Sequence, residues 1–78
     1  MTISLTAQEK KTIAEQHLKN ILFSEYNIEL SLLEANAIPG ADSSTLDSLN
    51  KEMSDLTSKK NVIELEISSL DAELQSNN

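Results

Sequence analysis

The chain has 78 residues, with thirteen acidic side chains against six lysines, no arginine, no cysteine and a formal net charge of −7. A chain this small forms one domain at most and buries a smaller share of its surface than a larger one, and without cysteine it has neither a disulfide staple nor a thiolate zinc site. The negative charge repels nucleic-acid phosphates, and the missing arginine removes the fork that grips phosphate in two parallel bonds, so DNA, RNA and phosphate binding are not expected.

Taken in chain order, residues 1–6 come first as a short β-compatible arm, too short for a sheet of its own and expected to be flexible. Nothing in it resembles the basic and apolar regions of a signal peptide, and no apolar run approaches the roughly 20 residues that span a bilayer. The expectation is a cytoplasmic protein with no membrane partner. Thr6 followed by Glu9 has the capping-box spacing, in which the hydroxyl accepts the amide of the third helical residue and the carboxylate reaches back to the cap amide. A first helix is therefore predicted over residues 7–37.

Within it, Ala14, Leu18, Ile21, Glu25, Ile28, Leu32 and Ala35 recur at alternating spacings of four and three, the pattern of a stripe that faces a partner helix. Pro39 and Gly40, the one proline and the one glycine, interrupt the pattern. Proline disfavours helical geometry at the residue before it, and glycine takes positive φ without steric cost. Asp42, Ser43 and Ser44 then offer oxygens that can cap a following helix. The turn is predicted over residues 38–44.

A second helix is predicted over 45–75, leaving 76–78 as a frayed tail. Its stripe is cleaner: Leu46, Leu49, Met53, Leu56, Lys60, Ile63, Ile67, Leu70 and Leu74 occupy unbroken heptad positions, and all but Lys60 are apolar. Folding the two stripes together about residue 40 pairs positions whose numbers sum to about 81, such as Leu32 with Leu49 and Ile28 with Met53. The fold class is therefore all-α, a single antiparallel, coiled-coil-like two-helix hairpin. Each stripe carries one charged interruption, Glu25 and Lys60, and the register brings these within about a turn of each other. Such a half-buried pair adds little net stability but penalises slipped registers. Glu29, close to the apolar face, is placed to share Lys59 or Lys60.

The first helix also carries a second apolar series, Phe23, Tyr26, Leu30, Leu33 and Ala37, again three and four apart, while Val62 and Leu65 lie off the seam of the second helix. One hairpin cannot bury both series. The expected solution is a homodimer forming a four-helix bundle, with another protein covering the surface as the alternative.

No residue pattern calls for chemistry. His17 is the one histidine; a di-metal bundle motif would need a glutamate three residues before it, where Ala14 stands. Ser43, Ser44 and Thr45 read as capping residues rather than as a modification site. With no phosphate loop, nucleophile motif or ligand cluster, no enzyme activity, metal or cofactor is expected. Function is expected to reside in surfaces: a self-associating scaffold, adaptor or assembly chaperone, in the small, acidic style of virus-encoded accessory proteins. A small acidic regulator that binds a basic surface is the other reading, since residues 39–78 carry eight acids and three lysines.

Overall fold

A computed structural model describes residues 3–76. It contains two helices, α1 (Ala7–Asn36) and α2 (Ser43–Ser76), packed against each other as a hairpin, with no strand among the described residues. The molecule measures 60 × 25 × 15 Å, as expected for arms of 30 and 34 residues at about 1.5 Å of rise per residue.

Both starts are set by side-chain caps. Thr6 holds extended backbone angles; its hydroxyl accepts the Glu9 amide at 3.1 Å, while its own amide donates to Glu9 Oε1 at 2.9 Å. The two bonds complete the capping box and satisfy two of the amides that a helix start leaves unpaired. Residues 3–5 of the expected arm are non-helical and exposed, and Met1 and Thr2 lie outside the described residues.

α2 begins at Ser43, two residues ahead of the expected Thr45, because the cap is Asp42. Its carboxylate accepts the Ser44 amide at 3.0 Å and the Ser44 hydroxyl at 2.9 Å, and its carbonyl accepts the Leu46 amide. Between the helices the chain reverses through Gly40 at φ +76, in open space. A side chain there would meet no neighbour, so glycine is required for its backbone angle alone. The Ala41 amide closes the turn onto the Ile38 carbonyl. At the far end α2 runs to Ser76; the rest of the expected frayed tail, Asn77 and Asn78, lies outside the described residues.

The helices meet along one seam. The residues withdrawn from solvent on α1 include Lys11, Ala14, Leu18, Ile21, Glu25, Ile28, Leu32 and Ala35, and those on α2 include Leu46, Leu49, Met53, Leu56, Lys60, Ile63, Ile67, Leu70 and Leu74. These contain both stripes read from the sequence. Cross-helix bonds fix an antiparallel register: Lys11 meets Asp71 and Glu25 meets Thr57, pairs whose numbers sum to 82. Among the described residues only Ile28 and Leu70 are buried, and neither completely. The rest of the seam is half covered, because a two-helix layer has no third element to close it.

Candidate interaction surface

Polar groups first mark the middle and the open end of the seam. Lys60 Nζ lies 3.6 Å from Glu25 Oε1, and the Thr57 hydroxyl donates to Glu25 Oε2 at 3.3 Å. The carboxylate is thus held from two positions one turn apart on α2. Glu29 takes no part in this cluster. It sits on one flank of the seam, just after Ile28, whereas Lys59 sits just before Lys60 and so faces the opposite flank. Near the open end Lys11 Nζ meets Asp71 Oδ1 at 2.6 Å, and that carboxylate holds the lysine pKa above its ordinary value through its hydrogen bond and its charge. Neither Thr57 nor the Lys11–Asp71 pair was anticipated from sequence. Extending the register rule to polar residues would have found both.

The second apolar series stands on the outside of α1. At about 100° per residue, Phe23, Tyr26, Leu30 and Leu33 are centred roughly 150° around the helix from the seam, facing away from α2. Phe23 and Tyr26 are each 59% exposed, Leu33 62% and Leu30 39%. Leu22 flanks them, and Ala37, exposed, continues the stripe as the helix C-cap residue. Lys19 begins the stripe, with its ammonium 5.7 Å from the centre of the Phe23 ring. Such a contact attracts through the negative face of the ring.

Val62 and Leu65 do not join this surface. They are 65% and 71% exposed on the outside of α2: Val62 borders a groove of about 560 Å³ with His17, Asn20 and Lys59, while Leu65, midway between the seam positions Ile63 and Ile67, lies beside Asn61, Glu64 and Ser68. The apolar residues off the seam therefore form a long stripe on the outside of α1 and, separately, two exposed side chains on the outside of α2. Residues just after each seam position lie on one flank of the hairpin and residues just before it lie on the other, while Phe23, Leu30 and Leu65, midway between seam positions, point directly outward.

Neither flank is apolar on both helices. After the seam positions, α1 presents Leu22, Tyr26 and Leu33, but α2 presents Asn50, Ser54, Thr57 and Asn61. Before them, α1 presents His17, Asn20, Ser24 and Asn27, and α2 presents Asp55, Lys59, Val62 and Glu66. Among the described residues no group of three or more His, Asp or Glu side chains lies close enough to hold a metal ion, and no helix is long and apolar enough to cross a membrane. The chain matches no protein-family model, no curated protein and no solved structure.

Proposed function

We propose that this chain is a non-catalytic protein–protein interaction module, a self-associating helical hairpin that scaffolds or chaperones a larger assembly in the cytoplasm. One observation carries the reading: a four-turn apolar stripe lies open on α1 of a molecule whose own seam buries only two of the described side chains, Ile28 and Leu70. A contiguous apolar face rimmed by polar residues is the mark of a docking surface, and its two aromatics belong to the types that dominate binding energy. In this reading the first partner is a second copy, giving a dimer of four helices. The apolar area lies on α1 rather than on a flank shared by both helices, so the dimer joins through α1 and carries each α2 on an outer edge, unlike a square bundle.

Light scattering over a range of concentrations tests this. The native chain is expected to reach the mass of a dimer, and Leu30→Glu and Leu33→Glu, both on the solvent side of α1, are expected to return it to a monomer of unchanged helix content. A monomer at every concentration overturns self-association. The acidic-regulator reading is favoured by the charge of α2 and its flanks, and it predicts binding to a basic partner that weakens steeply with salt. Docking through the α1 stripe tolerates salt and is lost in the two glutamate variants.

A further inference from the structure

We propose that the α1 stripe is closed by the α1 stripe of a second copy running antiparallel, with Phe23 against the partner's Leu33, Tyr26 against the partner's Leu30, and Lys19 beside the partner's Glu34. This rests on the self-association proposed above and adds its orientation, register and specificity residues. The stripe is asymmetric along its length. Its early end is cationic, with Lys19 exposed over the Phe23 ring. Its late end is anionic, with Glu34 exposed in the last turn of α1, a turn that holds no basic residue.

A parallel pair would set Lys19 against Lys19 and Glu34 against Glu34. An antiparallel pair brings each lysine to a glutamate and to the last carbonyls of a helix, where a cation is favoured. The register follows from volume. Centring the two-fold axis near Ile28 matches all four large side chains with large side chains, whereas a shift of one heptad toward the start of α1 places Leu33 against Gln16. The area suffices: with large side chains of roughly 150–250 Å² each, the exposed parts of Leu22, Phe23, Tyr26, Leu30 and Leu33 amount to roughly 500 Å² per copy. Two copies then reach the roughly 1,000 Å² that a specific interface needs.

Charge reversal and one distance test the arrangement. Lys19→Glu and Glu34→Lys are each expected to weaken dimerisation roughly ten-fold at low salt, from two contacts per dimer, and the double variant to restore it. In a parallel pair the single reversals would leave affinity unchanged and the double variant would rescue nothing, which would overturn the proposal. Because the chain has no cysteine, a spin label on Thr12→Cys reports without interference. Antiparallel pairing about Ile28 separates the two labels by roughly 50 Å at 1.5 Å per residue, and parallel pairing holds them within roughly 20 Å, given helix axes 8–10 Å apart. A dimer with the short distance defeats the antiparallel geometry while self-association stands; a monomer defeats both.

Discussion

Both helix starts depend on carboxylates whose charged forms accept backbone hydrogen bonds. The Thr6 amide holds the Glu9 carboxyl below its ordinary pKa, and the Ser44 amide does the same for Asp42. A carboxylate with a depressed folded-state pKa adds stability above its unfolded value, and that contribution disappears as pH falls through the folded one. Helix content followed by circular dichroism is therefore expected to fall between about pH 5 and pH 2, within the carboxylate titration range. Glu9→Gln with Asp42→Asn, which keep the acceptors but cannot titrate, should flatten that limb; an unchanged limb would place the acid sensitivity elsewhere. The first cap was legible because Thr and Glu stand at a spacing used for little else. The second was legible only to within two residues. Asp42, Ser43, Ser44 and Thr45 all carry a suitable oxygen, and the turn geometry at Gly40 decides which of them meets an open amide.

At the level of elements, the seam was readable because each stripe keeps its own three-and-four spacing and the turn then permits only one register. Glu25 and Lys60 test what holds that register. Lys60→Leu leaves a half-buried carboxylate with the Thr57 hydroxyl as its remaining side-chain partner, and is expected to cost about 1–3 kcal/mol. Replacing both charges by leucine is expected to recover that loss or exceed the native stability, while broadening the amide spectrum as slipped registers gain population. A double variant with sharp, native-like resonances would show that the apolar residues alone set the pairing. The direction in which the second stripe points was not legible from a list of apolar positions. It follows only when both helices are placed and the residues before and after each seam position are sent to opposite flanks. The placement leaves Phe23, Tyr26, Leu30 and Leu33 exposed on α1 and Val62 and Leu65 exposed on the outside of α2.

The whole molecule is long for its mass. Its radius of gyration is 17.8 Å, against about 12 Å for a compact chain of this length, and it exposes 5954 Å² where about 4,700 Å² is usual for a monomer of this mass. Length along a single seam also orders events in time. Contacts beside the Gly40 turn close a loop of about a dozen residues, whereas Lys11 and Asp71 close one of about 60, an extra entropic cost of about 1.5 kcal/mol. Folding is expected to nucleate at the turn and run outward, so Leu49→Ala should mainly slow refolding while Asp71→Ala mainly speeds unfolding in stopped-flow experiments. The reverse pattern would place the nucleus at the open end. The hairpin is therefore expected to open like a pair of tweezers held at the Gly40 turn, its tips parting and rejoining more often than the turn itself opens. The Lys11–Asp71 contact at the tips is expected to limit that opening, and amide exchange should record it as protection that declines steadily from the turn to the tips.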